Sequence, residues 1–224
     1  FVVAGLCSLI PIAIYAWLLP ADAGRHVLPI HHPPVDLASR RRIRGLTGLF
    51  ALDSLGGGFL AGSIVSYWFF KRFGLSGEVI GPLFLAARGL TAGSYFAADA
   101  LARRIGLVKT MVFTHLPSSA FLLVLPWAPS ATVAMLLFLA REALVQMDVP
   151  ARQAFVAQAT RPGERVYAFG VTGLARNVGW AAGPGLAGWS AQALGLGAPL
   201  VIGAGLKMVY DLLLYRSFVR DPVS

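Results

Sequence analysis

Several ionisable residues of this chain sit where charge is hardest to place. Asp53, Arg88, the neighbours Arg141 and Glu142, Arg176, and the pair Lys207 and Asp211 each fall inside a long apolar run. A lone Arg at the centre of a membrane-spanning helix costs about 2.5–3.5 kcal/mol on the insertion scale, so such residues face a protein interior or water and mark pathways. A carboxylate in that setting can carry a proton, and an arginine can hold an anion or an acidic side chain. Arg141 is the leading candidate for contact with a solute or for tuning a coupling acid, with a structural ion pair as the alternative. Glu142 and Asp53 follow as proton carriers. Arg88 and Arg176 are candidates that could equally hold those acids in place. Arg141 and Glu142 leave their helix about 100° apart, so each is expected to seek a different partner. Lys207 and Asp211 are four residues apart on one helical face and are expected to neutralise each other. His115 and Pro117 are expected to mark a helix bend with a satisfied histidine.

The elements that must position these residues follow from composition. The chain of 224 residues is 57% hydrophobic and 13% charged, with a mean hydropathy of +0.69. A soluble domain carries about 25% charged residues, so the polar surface here is too small for a water-exposed shell. The expectation is an all-α integral membrane protein, multi-pass, with the lipid bilayer as its main partner. A span needs about 20 largely apolar residues, and seven runs qualify: 1–19, 45–70, 78–100, 107–127, 131–149, 166–191 and 197–217. Residues 20–44 read as a basic linker, holding His31-His32-Pro33-Pro34 and then Arg40, Arg41, Arg42 and Arg44. Residues 45–220 then form a six-helix bundle and 221–224 a tail. The apolar start at Phe1, with no basic n-region, reads as a chain entered part-way through a longer protein.

Cations set the orientation. Placing the linker in the cytoplasm puts thirteen Lys and Arg on that side, Arg103, Arg104, Lys109, Arg152, Arg161 and Arg165 among them, against Lys71 and Arg72 outside. The formal net charge of +9 is therefore a topology signal, with no nucleic acid implied. Tyr67-Trp68-Phe69-Phe70 before Lys71 reads as an interfacial aromatic belt. No G-x-x-x-x-G-K-[ST] motif is present to bind ATP. Four His and one Cys show no metal-ligand spacing, and no catalytic triad is evident, so neither metal, cofactor nor enzymatic activity is expected.

Two stretches carry a family resemblance. Leu101-Ala102-Arg103-Arg104-Ile105-Gly106 with Lys109 resembles the G-x-L-A-D-R-x-G-R-R cytoplasmic signature of the major facilitator superfamily. It departs from that pattern at Asp99, Arg103 and Leu107. Pro162-Gly163-Glu164-Arg165, Gly170, and then Arg176-Asn177-x-Gly179-x-x-x-Gly183-Pro184-x-x-x-Gly188 look like the loop and eleventh helix of its bacterial drug-efflux-like branch. Met147-Asp148-Val149-Pro150-Ala151-Arg152-Gln153 and the run from Val112 to Pro117 resemble the same group. The resemblance implies that the seven spans are helices six to twelve of a twelve-helix transporter in a bacterial inner membrane. The missing N-terminal half would be a partner, and the six helices would be two three-helix units related by an approximate twofold. It also implies a central cavity lined by Asp53, Arg88, Arg141 and Arg176, through which a small solute moves by alternating access, with proton-coupled efflux as the expected mode. Independently, Gly179, Gly183 and Gly188 with Ala181, Ala182 and Ala187 read as a small-residue stripe for close helix approach, and Pro184 permits a bend. By resemblance that stripe lies near the interface where the halves rock. Gly56-Gly57-Gly58 reads either as a hinge or as a close-packing site. Other functional readings are a seven-helix receptor or retinal protein, with Lys207 forming the Schiff base, and a truncated half without transport.

Overall fold

The computed structural model describes residues 36–218 continuously, together with Ile14, Trp17 and Leu18. The chain divides into two compact units, Phe1–Pro34 and Val35–Ser224. The expected span 1–19, most of the linker and the tail lie outside the described residues. The second unit is helical throughout its described length: α1 (Leu37–Gly58), α2 (Gly62–Phe73), α3 (Gly77–Ile105), α4 (Leu107–Val124), α5 (Ala131–Val145), α6 (Asp148–Ala159), α7 (Arg165–Leu194) and α8 (Ala198–Phe218). The linker is thus shorter than expected, because α1 begins at Leu37 and takes in the arginine cluster.

Two of the expected spans are broken. Span 45–70 stops at Gly58, crosses Phe59-Leu60-Ala61 and resumes as α2, the last turn tightened by Leu60 N–H donating to Gly57 and Ala61 N–H to Gly58. Span 131–149 stops at Val145 and resumes as α6, with Pro150 in the new helix's first turn. There its missing N–H is one of the unpaired donors anyway. Joining each broken pair gives six rods. Exchanging the first three rods (α1–α2, α3, α4) with the last three (α5–α6, α7, α8) carries each of the closer pairings onto another. Thus α1 against α7 corresponds to α5 against α3, α1 against α8 to α5 against α4, and α4 against α8 to itself.

Ser39–Phe73, Leu107–Trp127 and Ala198–Phe218 are long and apolar enough to cross a membrane. The remaining expected spans fall short for visible reasons. Helix α3 carries Arg88, Asp99, Arg103 and Arg104; α7 carries Arg165, Arg176 and several glycines; α5 ends after 15 residues. The expected run 78–100 continues as helix through Ile105, and the reversal rests on Gly106 alone at φ 87°. Only glycine adopts that backbone cheaply. Arg103 pairs with Asp99 one turn earlier on the exposed surface, and Arg104 is exposed.

Gly58 and Gly183 bring α1 and α7 into backbone contact. A Cβ on Gly183 would lie 2.4 Å from Gly58 Cα, and one on Gly58 2.7 Å from Gly183 Cα. Gly56 meets α8 the same way, 3.0 Å from the carbonyl oxygen of Gly203. The glycine run is therefore a close-packing site where α1 touches two helices. The stripe on α7 is narrower than expected: Gly179, Gly183 and Ala187 are buried with Thr172 and Ser190. Ala181 and Ala182 are exposed, and a Cβ on Gly188 would meet nothing. The 3.6-residue turn rotates those three off the contact face.

Two apolar clusters make the core. One gathers Phe59, Trp68, Phe69, Leu122, Phe138, Leu200 and Ala204; the other gathers Phe50, Met111, Phe155, Tyr210 and Leu214. Along α1 and into the break after it the order is Phe50, Asp53, Phe59; along α4 it is Met111, His115, Leu122; along α8 it is Ala204, Lys207, Tyr210. Each helix therefore passes from one cluster to the other through an ionisable residue. The charged layer lies where the clusters meet.

Candidate functional site

At that layer lies a cavity of about 160 Å³, and each of the eight helices lends it at least one side chain or backbone surface. Nine ionisable residues line it: Asp53 (α1), Arg88 (α3), His115 (α4), Arg141 and Glu142 (α5), Asp148 and Arg152 (α6), Arg176 (α7) and Lys207 (α8). All five expected site charges, Asp53, Arg88, Arg141, Glu142 and Arg176, are brought together here. Gly57, Gln146 and Trp180 complete the polar and close-packed parts of the wall.

The charges divide into two groups. The first is a continuous buried network on α1, α4, α6 and α8. Lys207 Nζ donates to Asp53 Oδ1 at 2.7 Å and to His115 Nε2 at 3.2 Å. His115 Nδ1 donates to Asp211 at 2.9 and 3.0 Å to its two oxygens. The tautomer follows from the partners: a lysine ammonium offers only donors, so Nε2 accepts and the ring proton sits on Nδ1. Arg152 donates to Asp53 Oδ2 at 3.1 Å and also pairs with Asp148 at 2.9 Å. Tyr210 packs edge-on against the His115 ring, and Arg152 lies over Phe50 at 5.6 Å. Three carboxylates face two fixed cations, so with His115 neutral the network has room for one proton.

The second group lies on α3, α5 and α7. Glu142 accepts from Arg88 at 2.9 Å and from Arg141. Ser118 Oγ donates to the Arg141 carbonyl at 3.3 Å and Thr91 Oγ1 to the Glu142 carbonyl at 3.4 Å, tying α5 to α4 and α3. Arg176 lines the cavity with no acidic partner within salt-bridge distance among the described residues. Arg88 and Arg141 thus share one carboxylate, and Arg176, beside Arg152, adds a further guanidinium group to the wall.

Four expectations are corrected. Arg141 and Glu142 do satisfy each other: the 100° separation fixes their Cβ directions, while the long arginine side chain swings back across it. Lys207 and Asp211 do not pair directly, because His115 from α4 sits between them and Asp53 from α1 offers the lysine a closer oxygen. His115 is accordingly a member of the site and not merely a histidine at a bend. Arg152, one of the thirteen cations assigned to the cytoplasmic side, is only 5% exposed and anchors Asp53. Arg88 holding Glu142 is as expected, whereas Arg176 holds no acid among the described residues. The additional residues Arg152, Asp148, His115, Lys207 and Asp211 shared one signal in the sequence, an ionisable group within a helix of mostly apolar neighbours. Their pairing was not readable.

No family model matches the chain. A Saccharomyces cerevisiae protein described as "Uncharacterized membrane protein YJR124C" is 27% identical over 172 residues. Those residues make up 76% of this chain and 38% of that protein. The chain thus spans well under half the length of its relative. The fold is all-helical, with three helices long and apolar enough to cross a membrane among the described residues, and its similarity is to a membrane protein.

Proposed function

We propose that this chain is the C-terminal half of a secondary transporter of the major facilitator type, moving a small solute by alternating access, in a proton-coupled efflux mode. The observation that carries the reading is the cavity itself, a space of about 160 Å³ walled by nine ionisable residues at the junction of all six rods of an apolar bundle. Charge held inside such a bundle is costly unless it serves a pathway. Two further features support it. The helix pairings repeat between the first and last three rods, as in folds built from inverted repeats, and the leading rod of each set is broken beside the cavity, where discontinuous helices form substrate sites. The buried network has room for one proton on His115 or a carboxylate, which is what coupling requires.

Alternating access has a direct test in the full-length protein with Cys7 replaced by Ser. Val145, a buried wall residue, is changed to Cys and exposed to a membrane-impermeant maleimide in right-side-out and inside-out vesicles. The expected result is labelling from both sides, with the ratio shifted by an imposed pH gradient. Labelling from one side only, under every gradient, would overturn the transporter reading.

A further inference from the structure

We infer that the solute recognised by this cavity is a small anion bearing a carboxylate or phosphate group, held by Arg176 together with Arg88 and Arg141. This rests on reading the cavity as a solute site. Around it, five cations (Arg88, Arg141, Arg152, Arg176 and Lys207) face three carboxylates (Asp53, Glu142 and Asp148). The surplus is not spread evenly. Arg152 and Lys207 are consumed by the buried network, where each already meets Asp53 within 3.1 Å. The uncompensated charge therefore belongs to the arginines of α3, α5 and α7.

Their geometry suits an oxyanion. Arg88 and Arg141 converge on one carboxylate, Glu142, which shows that the space between them accepts a planar anionic group. Arg88 contributes only one terminal nitrogen to that contact, and its side chain is 59% exposed, so donors remain for a second partner. A guanidinium carries five N–H donors in a fixed fork that matches carboxylate and phosphate oxygens two at a time. Arg176 adds such a fork to the wall from α7, beside Arg152 and one turn before Trp180, and Gln146 and Trp180 line the same cavity. A cation would instead find Asp53 and Glu142 already accepting from lysine or arginine, and Asp148 already in a salt bridge with Arg152. An incoming anion can share Arg88 and Arg141 with Glu142, so that neither of these two guanidinium groups is unpaired before or after. The volume of about 160 Å³ lies below the roughly 300–1,000 Å³ of drug-sized sites, which favours a small solute.

Trp180 makes the inference testable without knowing the solute. In the full-length protein, with Cys7 retained and the other tryptophans replaced by Phe, Trp180 fluorescence is quenched with iodide and separately with caesium. A like-signed cavity concentrates counter-ions by about tenfold or more, so iodide is expected to quench about tenfold more effectively than caesium. Arg176→Gln should bring the two quenchers together, Arg176→Lys should keep them apart, and succinate or inorganic phosphate should protect against iodide. Equal quenching, stronger quenching by caesium, or no quenching by either ion would overturn the anion assignment. The outcome is independent of the maleimide test: iodide-selective quenching with one-sided labelling keeps the anion site and removes transport, whereas two-sided labelling with caesium-selective quenching does the reverse.

Discussion

The two charged groups around the cavity are built from the same residue types, yet they are arranged for different work. In the network on α1, α4, α6 and α8, the side chains of Asp53, His115, Asp148, Arg152, Lys207 and Asp211 are all at most 7% exposed. Each has its partners on other helices or one turn away, and acids and bases almost balance. In the group on α3, α5 and α7, Arg88 is 59% exposed, Arg176 is half-buried, and one carboxylate serves two guanidinium groups. Burial and balance make the first group a fixture that only a proton can alter cheaply. Exposure and surplus charge make the second a place where partners can be exchanged. Ion pairs in a membrane bundle are therefore not one kind of feature; their accessibility and stoichiometry decide what they can do.

The widest gap between the groups should appear when a central acid is removed. Among the described residues, Asp53 is the only carboxylate that Lys207 touches within hydrogen-bond reach, and one of two on Arg152. Asp53→Ala leaves a buried ammonium facing His115 and should lower stability by about 3–5 kcal/mol, the usual result of breaking a buried pair. Thermal unfolding in detergent would show it, and adding Lys207→Met should restore much of the loss. An unchanged melting temperature for Asp53→Ala would mean that the network is not the closed structure described.

A smaller effect is expected at the seam that brings the two groups' helices together. Gly183→Ala places a methyl group 2.4 Å from Gly58 Cα, so α1 and α7 must separate. Overpacking of this kind costs about 1–3 kcal/mol. Gly188→Ala, where nothing lies within 4 Å, serves as the control and should unfold like the parent. Equal behaviour of the two variants would remove backbone contact as the reason for these glycines.

How much of this was readable beforehand divides along similar lines. Rod positions were legible because length and hydropathy are local: α4, α7 and α8 begin and end within a few residues of runs 107–127, 166–191 and 197–217. The breaks were not, although both carried signals. Pro150 announces the first turn of a new helix, and Gly56-Gly57-Gly58 precedes the other break, but hydropathy continues smoothly across each. Asp53, Arg88, Arg141, Glu142 and Arg176 stood out as charges in apolar runs. What failed was their wiring. Helical spacing favoured Lys207 with Asp211, yet the actual partners, Asp53 and His115, lie 154 and 92 residues away in sequence. Arg152 looked cytoplasmic because it lies between the runs 131–149 and 166–191; tertiary burial against Phe50 and Asp53 overrode that. Local periodicity says which face a residue occupies, while the neighbour on that face is a property of the whole bundle.

The smallest expected effect sharpens the contrast most. Arg88 donates to Glu142 at 2.9 Å, a distance within the 2.7–3.2 Å span of the buried network's contacts. If distance alone set the energy, Arg88→Gln would be as damaging as the loss of Asp53. Two differences argue otherwise. The Arg88 side chain is 59% exposed while that of Glu142 is 3% exposed, so one member of the pair keeps much of its surroundings when the contact is cut. Glu142 also retains Arg141, so no buried carboxylate is orphaned. Exposed pairs contribute about 0–1 kcal/mol, and Arg88→Gln should accordingly move the melting temperature little. The same substitution removes one of the four guanidinium groups lining the cavity, so protection of Trp180 from iodide by succinate should weaken while the fold stands. A large loss of stability in Arg88→Gln would place Arg88 with the buried network and erase the division between the two groups.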